Sequence, residues 1–167
     1  MRTHRFFPIL AAVLLVVFAG ASALSAQEKA ITQDQIPKVV MDALLAKFPK
    51  ASIDKCTKAR EFFTIVYDIE FNQEGRKFEA DIKENGTYIN YEKSIEAAAL
   101  PKAVSDAIVK KYPNSVMKEI MEETEVKGKT EKLSGYEVVL QLADGREAEV
   151  KVSPAGKVIE DTGPRKA

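Results

Sequence analysis

The feature that most constrains this chain is an internal duplication. The segment Ile36-Pro-Lys-Val-Val-Met-Asp-Ala-Leu-Leu-Ala-Lys-Phe-Pro49 returns 64 residues later as Leu100-Pro-Lys-Ala-Val-Ser-Asp-Ala-Ile-Val-Lys-Lys-Tyr-Pro113, with seven of fourteen positions identical. A second match runs at an offset of 70: Gly75-Arg76 with Gly145-Arg146, Glu79 with Glu149, Gly86 with Gly156 and Ile89 with Ile159. Self-similarity at a fixed period means that one supersecondary unit occurs twice. The offset grows by six between the matches, so one copy carries an insertion. The polar stretch Glu123 to Ser134 is the expected place, read as a longer loop in the second copy.

Each copy opens with a helix. Ile36, Val39, Val40, Ala43, Leu44 and Phe48 fall at i, i+3, i+4, i+7, i+8 and i+12, as do their counterparts from Leu100 to Tyr112, giving each helix one apolar face with residues such as Lys47 on the polar side. Pro37 and Pro101 stand at the start, where a missing N–H is harmless, and Pro49 and Pro113 end the helix. The period then changes to two. Ile65, Tyr67, Ile69 and Phe71 alternate with polar residues, and so do Tyr136, Val138, Leu140 and Leu142. Phe78, Ala80 and Ile82, then Ala148, Val150 and Val152, form the next strands, joined to the preceding ones by turns at Gly75 and Gly145. Asn85-Gly86 and Pro154-Ala155-Gly156 lead into a short last strand, Tyr88 to Tyr91 and Lys157 to Glu160. A weaker strand precedes the hairpin around Ala51 to Lys58 and Ser115 to Glu122.

The fold class is therefore α+β: two tandem repeats, each one helix followed by about four antiparallel strands, with the helices packed on one face of the sheet or sheets. A unit of about 60 residues is marginal alone, so the copies should share a core or continue one sheet. The boundaries read as a signal peptide over 1–26, a leader over 27–35, repeat 1 over 36–92, a helix-prone connector over 93–99, repeat 2 over 100–161 and a tail over 162–167.

The signal peptide rests on Arg2 and Arg5, the apolar run from Ile9, and small residues that permit cleavage after Ala23 or Ala26. Cleavage places the product in the periplasm or outside the cell and removes His4, the chain's single histidine. What remains carries 23 basic and 25 acidic residues and no Trp. Neither nucleic-acid binding nor membrane binding after cleavage is expected. Without histidine there is no Ser-His-Asp or Cys-His pair and no His-based metal site. The single cysteine, Cys56, aligns with Ile120 of the second copy and reads as a buried apolar residue.

The pattern [Ile/Leu]-Pro-x-x-Val-x-x-Ala…[Phe/Tyr]-Pro, then Tyr-[Asp/Glu]-[Ile/Val], then Gly-Arg and a terminal Gly turn, resembles the bacterial PepSY-like proteins, often described as β-lactamase-inhibitor-like, over about residues 36 to 161. The resemblance implies exported envelope proteins and, for the inhibitor-like relatives, a concave sheet that receives a protein partner. It implies no catalytic activity and carries over no inhibitory contact residue.

Three local motifs have plainer readings. Gly128-Lys129-Thr130 lacks the upstream glycine of a phosphate loop, since Glu123 stands there. Asn85-Gly86-Thr87 fits a glycosylation sequon but is also a strong hairpin turn. The acidic set Glu119, Glu122, Glu123 and Glu125 lacks the spaced ligands of a calcium loop and is expected to be an ordinary solvated segment. Glu79 and Glu149, repeat-equivalent acids, could in principle serve carboxylate catalysis. Their charged neighbours and the absence of a pocket in so small a duplicated fold favour a solvated face.

The reading is of a non-catalytic exported binding module, with no enzyme activity, cofactor or metal. An envelope or secreted protein partner is expected on the sheet face opposite the helices. The alternation places Asp68, Glu70, Lys77, Glu79, Asp81, Glu137, Gln141, Glu147, Glu149 and Lys151 on that face. The alternative is an envelope stress sensor or structural protein that binds a small molecule or metal weakly.

Overall fold

The computed structural model describes residues 29–61 and 63–166. The expected signal peptide, its cleavage sites and His4 lie outside the described residues. Within them the chain forms β1 (Lys29–Ile31), α1 (Lys38–Lys47), β2 (Ser52–Glu61), β3 (Thr64–Gln73), β4 (Arg76–Lys83), β5 (Tyr88–Ser94), α2 (Lys102–Lys111), β6 (Val116–Lys127), β7 (Thr130–Gln141), β8 (Glu147–Val152) and β9 (Val158–Asp161). Short 3₁₀ turns at Gln33–Gln35 and Ala97–Ala99 lead into the helices.

All nine strands join one antiparallel sheet in chain order, β1 to β9, without a crossover. The repeats meet where β5 pairs with β6, from Asn90↔Glu125 to Ser94↔Met121. Part of the expected helix-prone connector is thus strand: Lys93 and Ser94 extend β5 and make the joint. β1 arises from residues ahead of the first repeat and pairs Ile31 with Cys56.

The helices start at matching prolines, where Val40 N donates to Pro37 O and Val104 N donates to Pro101 O, and end where Phe48 and Tyr112 N–H bond to Leu44 and Ile108. The proline at each helix start needs no hydrogen on its nitrogen, and the following Pro49 and Pro113 bar another helical turn. Lys38–Asp42 and Lys102–Asp106, both 2.6 Å ion pairs, repeat on the exposed sides.

Both helices cover the same face of the sheet. α1 buries Val40 and Leu44 against Tyr67, Ile69, Phe71, Ala80, Ile82 and Cys56. α2 buries Val104 and Ile108 against Ile120, Tyr136, Val138, Leu140, Val150 and Val152. One sheet therefore carries two adjoining cores. Cys56 is 2% exposed, as the alignment with Ile120 suggests.

The turn glycines Gly86 and Gly156, with φ of 82° and 81°, sit beneath the first turns of α1 and α2. A Cβ on Gly86 would come 3.0 Å from Val39 O, and one on Gly156 2.5 Å from Ala103 O. Asn85-Gly86 is a turn, with Asn85 Oδ1 accepting from Thr87 N at 3.0 Å.

The six-residue insertion is not a loop. Glu123 to Ser134 lies mostly in β6 and β7, which pair through Lys127↔Thr130, so the extra residues lengthen a hairpin. That hairpin reaches back to the first repeat: Glu131 accepts from Lys47 Nζ at 2.5 Å and from the Tyr91 hydroxyl at 2.9 Å. Lys47, expected to be a plain surface residue, also sits 4.3 Å from the Tyr91 ring centre.

Candidate functional site

The face opposite the helices is built from the alternate residues of the same strands. Pairing across β3, β4, β5 and β6 sets Glu70 opposite Glu79, Glu79 opposite Glu92, and Glu92 opposite Glu123. One rung of the sheet thus carries four glutamates in a row across the joint between the repeats. The next rung sets Asp68 opposite Asp81. Like charges directly opposite one another oppose sheet formation. Local rules are broken in this way at functional or strained sites.

The face was expected to be a solvated alternation of charges, and this is overturned. Asp68 is 6%, Lys151 8% and Glu123 4% exposed. Val66, on the same side, is buried. Closely spaced long side chains shield one another on the inner strands of a nine-stranded sheet, which the alternation of a single strand does not reveal. The reading of Glu119 to Glu125 as a solvated segment falls for the same reason, since Glu119 and Glu123 project from β6 into this network.

Cations from both repeats thread through the acids. Lys55 pairs with Glu70 at 2.5 Å, Lys77 with Glu119 at 2.7 Å and Arg165 with Glu149 at 2.6 Å. Lys151 meets Glu123 and lies 3.5 Å from Glu137. Two buried carboxylate oxygens, Asp68 Oδ1 and Glu123 Oε2, meet no hydrogen-bond donor. Glu123 Oε2 has the Lys151 ammonium beside it, whereas the Asp68 carboxyl shares a hydrogen bond with Glu79 and leaves Oδ1 without a donor.

These surroundings set the titration. Burial, then Glu79 and Asp81, push the Asp68 carboxyl well above its ordinary range. Burial followed by Glu70 raises Glu79, and burial followed by Glu137 and Glu79 raises Glu92 strongly. Burial also raises Glu137, although Lys151 pulls against it. Burial alone would lower Lys151, but the hydrogen bond and charge of Glu123 hold it above its ordinary value.

At the centre is a cleft of about 50 Å³ lined by Asp68, Glu70, Lys77, Glu79, Glu92, Glu119, Met121, Glu137, Val139 and Glu149. Of the residues expected from sequence, Asp68, Glu70, Lys77, Glu79, Glu137 and Glu149 line it. Asp81 and Lys151 do not line it but stand directly across the strand pairs from Asp68 and Glu137, which do. Gln141 and Glu147 pair with each other where the β7–β8 hairpin nears its turn, away from the cleft. Sequence reasoning missed Glu92, Glu119 and Glu123. Glu119 and Glu123 were accessible by continuing the alternation on either side of Ile120, and Glu92 by carrying the last strand beyond Tyr91.

A profile of the beta-lactamase-inhibitor-like, PepSY-like proteins matches residues 22–90 and again residues 66–160. The chain belongs to this family. Among curated proteins none matches it. A BLIP-like protein from Bacteroides fragilis superposes with a TM-score of 0.55 at 18% identity, over 78% of this chain and 87% of that one. A Bacteroides eggerthii protein described as a candidate periplasmic protein gives a TM-score of 0.60 at 14% identity, over 75% of this chain and 87% of that one. These likenesses establish the shared fold. No helix among the described residues is long and apolar enough to cross a membrane.

Proposed function

We propose that this PepSY-like protein is a non-catalytic envelope binding module that takes a protein partner on the open face of its sheet. The observation that carries the reading is the glutamate rung Glu70–Glu79–Glu92–Glu123. It opposes folding, it lies on the face left bare by both helices, and it spans the joint that the duplication creates. A partner with complementary positive charge would relieve that repulsion on binding. The inhibitor likeness of the family and the periplasmic description of the Bacteroides eggerthii protein support the envelope setting.

Within this cleft a side chain from a protein partner fits better than a whole small organic ligand. About 50 Å³ is far below the roughly 300–1,000 Å³ of ordinary small-molecule sites. The test is site-specific photo-crosslinking in envelope preparations, with the crosslinker at Glu70 on the open face or at Lys102 on α2. A partner adduct from position 70 that weakens as salt rises past about 0.15 M is expected. Adducts from position 102 alone would overturn the reading.

A further inference from the structure

The two repeats place equivalent rungs on the open face and fill them differently. In the second, Tyr136↔Val152, Glu137↔Lys151 and Val138↔Val150 follow one another along the β7–β8 hairpin. In the first, Tyr67↔Ile82, Asp68↔Asp81 and Ile69↔Ala80 occupy the same places along β3–β4. Where the second repeat has Lys151, the first has Asp81. The Lys151 ammonium is buried between Glu123 and Glu137. The corresponding acid of the first repeat, Asp68, is 6% exposed and keeps an oxygen without a donor.

We infer that the Asp68 side of the cleft is a receptor for one primary ammonium group, presented by a lysine side chain of the protein partner. The inference rests on the open sheet face being the binding face. Lys151 is the internal precedent, showing what this fold seats against such acids. Among the described residues no three His, Cys, Asp or Glu side chains are gathered to hold a metal ion, so the acids are better suited to a cation that donates hydrogen bonds. The cleft volume of about 50 Å³ fits a compact ammonium better than a planar guanidinium. Met121 and Val139, the apolar residues of the lining, offer a surface for the methylene stem of a lysine.

The test titrates the purified protein with the peptide acetyl-(Gly-Gly-Lys)₃-amide and with counterparts carrying norleucine or arginine in place of lysine. The lysine peptide should bind, the norleucine peptide should not, and the arginine peptide should bind at least fivefold more weakly. Asp68→Asn, which keeps the side-chain shape, should weaken lysine-peptide binding at least tenfold. Asp81→Lys, which installs in the first repeat the ammonium the second already holds, should abolish it and raise Tm. Equal binding by the wild type and Asp68→Asn would overturn the inference. So would tighter binding of spermidine, or a Tm rise with calcium chloride and none with the lysine peptide. The crosslinking result at position 70 is independent of lysine selectivity, so the sheet-face reading can stand if this inference falls.

Discussion

The first repeat is packed around aromatic rings and leaves one buried carboxylate oxygen, Asp68 Oδ1, without a donor. The second is packed around aliphatic side chains and neutralises its acid internally. In the first, Phe48 lies 4.9 Å from Phe71 and 5.2 Å from Phe78, ring centre to ring centre, with Tyr91 at 5.6 Å. In the second, Leu140 and Ala148 stand where the first has Phe71 and Phe78, and Tyr112, the counterpart of Phe48, packs at the edge of a core that holds Tyr136 among Val104, Ile108, Val138, Val150 and Val152. Aromatic pairs add roughly 0.5–1.5 kcal/mol each beyond the area they bury. The repeat with the costlier open face thus has the more aromatic covered face, which is expected to make its core the stronger one.

The comparison is best attacked first through the cores. Phe71→Ala should lose about 3–5 kcal/mol, and Leu44→Ala and Ile108→Ala about 2–5 kcal/mol each. Urea unfolding measures all three. A Phe71→Ala loss no larger than that of Ile108→Ala would remove the claim that the first core is the stronger. The glycine turns sharpen the contrast from the other side. Gly156→Ala should cost more than Gly86→Ala, because the new methyl meets the Ala103 carbonyl at 2.5 Å in one case and the Val39 carbonyl at 3.0 Å in the other. Thermal melts of the two variants give the order directly.

The open face, in both repeats, sets the response to pH. Free carboxyls titrate near about 4. Asp68, Glu79, Glu92 and Glu137 titrate higher in the folded chain, mainly through burial, so above about pH 4 the folded state keeps protons that the unfolded state has released. Stability then falls as pH rises through that window. Glu74, held low by Lys50, and Glu131, held low by Lys47 and Tyr91, act in the opposite sense, but only as pH drops below about 4. Tm should therefore be higher near pH 5.5 than near pH 8, and Asp68→Asn should flatten the slope. A wild-type Tm that climbed with pH would contradict the burial argument.

The smallest effect concerns the tie between the repeats. Lys47→Ala removes the contacts to Glu131 and the Tyr91 ring and should cost about 1 kcal/mol. Lys38→Ala, which breaks only an exposed helix pair, should stay within about 0.5 kcal/mol. Equal losses by chemical denaturation would mean that the long hairpin does not hold the first repeat.

The helices and hairpins were legible because each follows a short-range rule: apolar spacing of three and four, alternation of two, a proline or glycine at the end. Leu44 and Ile108 occupy the equivalent buried places that the repeat assigns them. The joint was not legible, since nothing local in Lys93 or Ser94 announces a pairing with Glu122 and Met121. With the joint went the glutamate rung, half of whose members face each other only once β5 and β6 are side by side. The insertion misled for a related reason: polar residues such as Lys129 to Lys132 suit a loop by composition, and it is the pairing of Lys127 with Thr130 that makes them strand.

Because strand order follows chain order from β1 to β9, every strand finds its partner among residues that precede it closely. Such a chain can be assembled in the direction in which it is threaded, each hairpin closing on an edge already in place and no early segment waiting for a distant one. Glu70, Glu79 and Glu92 are then set in order while the rung is still open on one side. The arrival of β6 brings Glu123 and that of β8, two strands later, brings Lys151, so the charge network of the open face is completed only as the last strands join.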